Sequence, residues 1–300
     1  MIPQIISGIM SETMPYHLGC PAWSVAGWKG RFLPKGTKQS DFLSLYSRVF
    51  NSVEGNVTFH ALPKIEIAQR WVDSVPPGFQ FCFKMPREIS HGGGLLADRR
   101  TLKRFHEILE IAARKKVLGP TFLQLHASFG PDRLEELTHF CDTWPTAFPL
   151  SVESRHEAFF KSGADEKRFD ELLKRQGIDR ALFDTRAIHS SPPDDEAETT
   201  SQSRKPKVAA RTTAIGKRPF IRFVGRNQIE KADPWLDELV ETVSGWISGG
   251  LKPCVFLHTP DDIFAPDLCR RFHHRLAESL GGLPDLPTLI EPEPQLDLFS

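Results

Sequence analysis

The sequence predicts an α/β protein folded as a (β/α)8 TIM-like barrel whose sixth helix is replaced by a long loop. Three observations predict it. Eight apolar runs, each too short for a helix and most rich in Phe, Val, Ile or Leu, recur along the chain. Helical patterns occupy most of the gaps between them, and that alternation implies an all-parallel sheet. Eight such units within 300 residues favour a closed barrel over an open doubly wound sheet.

The elements follow in order. Residues 1–14 read as an N-terminal extension without the basic start of a signal peptide, and Glu12 interrupts their apolar run. HLGCPAW (17–23) is the first strand and SDFLSLYSRVF (40–50) its helix, with Ser40 as the expected N-cap. SVEGNVTF (52–59) leads into PKIEIAQRWVDSV, and QFCFKMP (80–86) into the amphipathic run 98–116. TFLQLHA (121–127) precedes PDRLEELTHFCDTW, where Pro131 and Asp132 mark a helix start. LSVESRH (150–156) precedes DEKRFDELLKRQG, which stops on Gly177. RALFDTR (180–186) opens into residues 187–219, a polar stretch without apolar periodicity that reads as a disordered or lid-like insert. FIRFVGR (220–226) and CVFLHTP (254–260) each lead into a helix ending on paired glycines, Gly249-Gly250 and Gly281-Gly282. One domain therefore spans 15–282, and 283–300 is a tail with four prolines between 284 and 294.

Lys+Arg and Asp+Glu number 38 each, which excludes a global attraction to nucleic acid or anionic membrane. The five cysteines are scattered and form no CxxC pair, the usage of a reduced, cytoplasmic protein. No run reaches eighteen apolar residues, so no membrane span is expected.

Side chains alternate between the two faces of a strand. If the apolar set faces the helices, the other set faces the barrel axis. Parity then places Glu54, Asn56 and Thr58 inward on the second strand, and Cys82 and Lys84 on the third. It places Gln124 and His126 inward on the fourth, Glu153 and Arg155 on the fifth, Asp184 on the sixth, Arg222 on the seventh and His258 on the eighth. Most of these lie late in their strands, at the end where barrels of this kind do chemistry. Charges inside a barrel are costly unless paired, so one reading is a self-neutralising network. The other is a site in which Lys84, Arg155 and Arg222 bind an anion while Glu54, Glu153 and Asp184 carry out proton transfer.

Loops add candidates at the same end. Trp23, in CPAWSVAGWKGRFLP, offers a stacking surface, as does Trp28, and Arg87 and His91 follow the third strand. The acids with His126 and His258 could ligate a divalent metal, but no HxH or HExxH spacing occurs and three bases compete, so no cofactor is expected. GxSxG, GxGxxG and P-loop patterns are absent.

Taken together, GCPAWSVAGWKGRFLP, FNSVEGNVTFHALP, PPGFQFCFKMPREISH, FLQLHASFGP, SVESRHEAFF, FDTR and IRFVGRN resemble the YecE-like proteins, the family known as domain of unknown function 72. The resemblance runs from about residue 17 to about residue 280. It implies a TIM-barrel-like fold, and motif positions at Glu54, Asn56, Lys84, Arg87, His91, Glu153, Arg155, His156, Asp184 and Arg222. It implies no reaction. The chain departs from the family pattern at His60, at Val224-Gly225 and at His258-Thr259.

The last residues, Gln295-Leu296-Asp297-Leu298-Phe299, resemble the peptide with which bacterial replication and repair proteins bind the DNA sliding clamp. Glutamine fixes register while leucine and phenylalanine act as anchors. The expectation is thus a hydrolase-type enzyme acting on an anionic small molecule or nucleic acid, recruited by its tail. The alternative is a non-catalytic scaffold.

Overall fold

The computed structural model describes residues 14–96 and 98–290. All eight expected strands form: β1 (His17–Gly19), β2 (Ser52–Gly55), β3 (Gln80–Phe83), β4 (Thr121–Gln124), β5 (Leu150–Glu153), β6 (Asp179–Asp184), β7 (Phe220–Val224) and β8 (Cys254–His258). The fold is mixed α/β, with a parallel six-stranded half-barrel in the order β1-β8-β7-β6-β5-β4 and a parallel pair β2-β3. Most strands stop short of their apolar runs. Val57–His60, read as the end of the second strand, is a helical turn (α2), because Asn56 already lies in helical backbone space.

Hydrogen bonds link the two sheets on both sides. Between β3 and β4, Phe81 N donates to Val117 O (2.8 Å) and Met85 N to Phe122 O (2.8 Å). Between β1 and β2, Glu54 N donates to Cys20 O at 3.1 Å. There the Tyr46 hydroxyl accepts from Cys20 N at 2.7 Å and donates to Ser52 O at 2.8 Å. This approach requires glycine at position 19, where a Cβ would lie 2.1 Å from Ser52 O.

Helices cover the outer face: α1 (Phe42–Tyr46), α3 (Ile65–Asp73), α5 (Arg99–Arg114), α6 (Leu134–Thr143), α7 (Ala164–Arg175), α9 (Asp233–Ser248) and α10 (Ala265–Leu280). Their starts and stops follow local chemistry. Asp98 caps α5 by accepting from Thr101 N at 2.9 Å. Gly177 follows α7 at φ 65°, a left-handed position that glycine adopts without strain. Ser40 is not the cap of α1; a 3-10 turn over Gln39–Asp41 leads into that helix instead. Among the described residues no helix is long and apolar enough to cross a membrane. All five cysteines are buried free thiols.

Two apolar layers result. Phe81, Phe83, Leu123, Val152, Leu182, Ile221, Phe223, Val255 and Leu257 join the main core with the helices. Inside the curved sheets, Cys82, Phe122, Ala181, Phe220, Cys254 and Phe256 form a separate plug.

The sixth crossover is more ordered than a loop. Glu196–Arg204 forms a helix, α8, capped by Asp195 accepting from Glu198 N. Its face carries little apolar surface; buried ion pairs hold it instead. Arg226, fully buried on the loop after β7, pairs with Glu198, which is equally buried, and with Asp194 at 3.0 Å. The chain then runs down the outer layer. Arg211 pairs with Glu166 on α7, Thr212 O accepts from Trp246 Nε1 on α9 at 3.1 Å, and Ala214 and Ile215 pack on the main core. An extended strap thus fills the slot of the sixth helix. Residues 283–290 are also docked: Leu283, Leu286 and Leu289 pack on the core and Arg270 donates to Leu286 O at 3.2 Å. The clamp-like peptide 295–299 and residues 1–13 lie outside the described residues.

A buried ion-pair cluster as the candidate functional site

The cluster rests on the plug, at the C-terminal ends of the strands. Arg222 on β7 is its hub. Its Nε and NH2 donate to the two oxygens of Glu54 on β2 at 2.8 and 2.9 Å, a bidentate pair. Its NH1 donates to Glu153 Oε2 on β5 at 2.9 Å. His258 Nε2 on β8 lies 3.0 Å from Glu54 Oε2, and Asn56 Nδ2 donates to Glu54 Oε1 at 2.8 Å. Gln124 Nε2 on β4 donates to Glu153 Oε1 at 2.8 Å, and Arg155 pairs with the same oxygen. Lys84, just past β3, donates to Gln124 Oε1 at 3.1 Å and sits over the Phe59 ring at 4.1 Å.

Glu54 and Glu153 are fully buried, and Lys84, Arg222 and His258 nearly so. Gln124, Arg155 and His91 are half-buried and form the rim. Burial alone would raise the Glu54 carboxyl, but Arg222 and His258 outweigh it and hold it well below the usual range. Glu153 is likewise lowered, with Arg155 and Arg222 overcoming burial. Both are therefore carboxylates at neutral pH. Burial, then the charge of Arg222, brings the Lys84 ammonium down to about 8. Burial also takes His258 to about 4, so its imidazole is neutral and can donate to Glu54.

The charges do not balance. Lys84, Arg155 and Arg222 face only Glu54 and Glu153, and among the described residues Lys84 has no carboxylate in contact. A buried positive charge without a carboxylate partner is costly unless something compensates it.

Other sequence candidates lie elsewhere. Asp184 does not join the cluster. Register pairs Phe183 with Arg222 and Asp184 with Phe223, so Phe183 shares the inner face and Asp184 the helix face. There it pairs with Arg186 at 2.8 Å, which reaches Glu238 on α9. The parity argument fails on β6 because its apolar pair, Ala181 and Phe183, faces inward, while the outward set is Arg180, Leu182 and Asp184, the charges paired with Glu166 and Arg186. Trp23 packs edge-on against Trp71 and Phe81 in the outer layer. Trp28 is buried, stacked on Tyr46. His156 accepts from Ala158 N and caps a 3-10 turn. Arg87 is exposed at the start of a helical turn, α4 (Arg87–Ser90). His91 and the exposed His126 stand ring to ring, 5.2 Å apart, beside Phe59 at the rim.

Two residues near the cluster escape the sequence argument. Lys205, at the end of α8, is half-buried, and desolvation lowers it to about 8; the charges of Asp262, Arg222, Arg155 and Glu54 all act on it. Asp262, in the turn after β8, is pushed up to about 7 by burial. Its position after a strand is a usable signal, but Lys205 lies in a stretch with no pattern at all. The strap also caps the inner face, with Val208 packed on Phe183, Ile188 and Val224. A small hollow of about 20 Å³ lies at the opposite, N-terminal end, walled by Met14, Leu18, Phe50, Phe79 and Leu286, and holds none of the clustered charges.

Residues 17–294 match the family profile described as a protein of unknown function, DUF72. The UPF0759 protein YecE of Escherichia coli K12 is 35% identical over 279 residues, covering 90% of this chain and 97% of that one. A DUF72 family protein from Enterococcus faecalis shares the fold with a TM-score of 0.66 at 17% identity, over 93% of this chain and 99% of the other. One from Thermotoga maritima gives 0.64 at 22% identity, over 87% and 98%.

Proposed function

The chain belongs to the DUF72 family, and from that premise we propose that it is an enzyme whose site binds a small phosphate- or carboxylate-bearing substrate at the mouth of a closed (β/α)8 barrel. Closure is supported by the hydrogen bonds that link the two sheets on both sides. The observation that carries the anion reading is Lys84: a buried ammonium with a neutral partner only, beside an already paired Arg222. In this reading Lys84 and Arg155 hold the anion, and Arg222 with His258 and Asn56 fixes the carboxylates. Among the described residues Glu153 Oε2 accepts only from Arg222, and its carboxylate orients a water in a hydrolytic step.

Calorimetric titration with inorganic phosphate tests this. The expected result is binding at pH 7 that weakens at least tenfold in Lys84→Met, and that weakens as pH rises through about 8 while Lys84 loses its proton. Absence of phosphate binding, or equal binding by the variant, overturns it.

The sequence Gln295–Phe299 supports a second, separable reading, recruitment to the DNA sliding clamp. Deleting 295–299 should abolish capture of the clamp in a pull-down, and capture that survives the deletion rules the peptide out.

A further inference from the structure

We propose that the ligand of this site is a phosphorylated or carboxylated polyol, its anionic group held by Lys84 and Arg155 with Lys205 beside them, and a hydroxyl held by Asp262. The inference rests on the anion reading above and adds the substrate class. Two segments outside the strand cluster deliver the added residues. The strap supplies Lys205, whose ammonium donates to Ser201 Oγ at 2.7 Å. Among the described residues it has no carboxylate in contact, so a second, half-buried cation joins the surplus at the mouth.

The turn after β8 supplies the opposite chemistry. Asp262 sits at φ 62°, a left-handed conformation that few non-glycine residues adopt. It is held there by Trp28 Nε1 donating to its main-chain oxygen at 2.9 Å and by its own N–H donating to Thr259 O at 3.2 Å. Both anchors grip the backbone, leaving the side chain to other work. Asp262 Oδ1 is buried and has no hydrogen-bond partner among the described residues. Thr259 Oγ1, in the same turn, is also buried without one. Buried polar atoms are normally satisfied, so such a pair points to a partner from outside the chain.

Charge decides which partner. A bare inorganic anion would satisfy the lysines but repel the carboxylate of Asp262. A divalent cation would satisfy Asp262 but meet Lys84, Arg155, Lys205 and Arg222, and no group of three metal-ligating side chains forms among the described residues. One molecule with an anionic group and donating hydroxyls satisfies both sides. Burial, which raises Asp262 to about 7, is relieved when a hydroxyl donates to its ionised form.

The test compares three probes by calorimetry on the full chain: inorganic phosphate, methyl phosphate and ribose 5-phosphate. Ribose 5-phosphate should bind at least tenfold more tightly than methyl phosphate. Lys205→Met should weaken both. Asp262→Ala should erase the preference while methyl phosphate, freed of the carboxylate's repulsion, binds at least as tightly as to the parent. Should the alanine variant fail to fold, Asp262→Gly tolerates the positive φ, removes the same carboxyl and should give the same result. Equal affinity for the two esters in the parent, or a preference that survives loss of Asp262, overturns the polyol assignment while the anion reading stands. Absence of binding by all three overturns both.

Discussion

At Arg222 every side-chain nitrogen donates to a buried carboxylate, so the guanidinium and its two partners stand or fall together. Removing it leaves Glu54 without its main compensation and Glu153 with Arg155 alone. Arg222→Met should therefore cost about 3–5 kcal/mol in urea denaturation. Adding Glu54→Gln and Glu153→Gln to that variant should recover more than half of the loss; no recovery would mean the pairs do not carry the stability. Lys84 is the contrasting case, a cation whose loss leaves no buried carboxylate behind, and hence the better probe of binding. The cluster's members are legible in the sequence because β2, β3, β4, β5, β7 and β8 keep helix-facing apolar residues on one parity. Asp184 is misread because β6 presents Phe183 inward, where it stacks under Arg155 at 3.8 Å. An aromatic beneath a guanidinium looks like core in any sequence pattern.

Among the elements, β-strands and amphipathic helices announce themselves by period, whereas α8 does not. Its sequence, EAETTSQSR, has no apolar face, and its place is set by Arg226 with Glu198 and Asp194. Contacts between residues far apart in sequence leave no periodic trace, which is why 187–219 reads as an unstructured insert. The same pairs make the strap breakable at one point. Arg226→Ala orphans the fully buried Glu198 and should loosen the segment. Trypsin should then cut at Arg204, Lys207 or Arg211 at least tenfold faster than in the parent, with the other elements intact in circular dichroism. Unchanged cleavage would show that Val208 and Arg211 hold the strap by themselves.

At the scale of the whole molecule the buried histidines set an acid limit. Burial holds His17 at about 3 and His258 at about 4, against 6.5 for a free imidazole. Above pH 6.5 neither state binds these protons and stability is unaffected. Between 6.5 and about 4 the unfolded chain takes up protons that the fold refuses, so stability falls by about 1.4 kcal/mol per pH unit for each histidine. Below about 4.5 the lowered carboxyls of Glu54 and Glu153 add to the loss, because the unfolded chain protonates them first. Calorimetric melting should show Tm dropping steadily from pH 7 to 5, and a flat profile would contradict the burial of these rings. The ends of the domain carry a different consequence. Met14 and Leu286 wall the same hollow, and β1 lies directly beside β8. The two ends of the described chain, at Met14 and Leu286, thus lie close together. A circularly permuted version, joined from 290 to 14 and opened at Gly93, where an added Cβ would meet nothing within 4 Å, should keep the parent's circular-dichroism spectrum and cooperative melting.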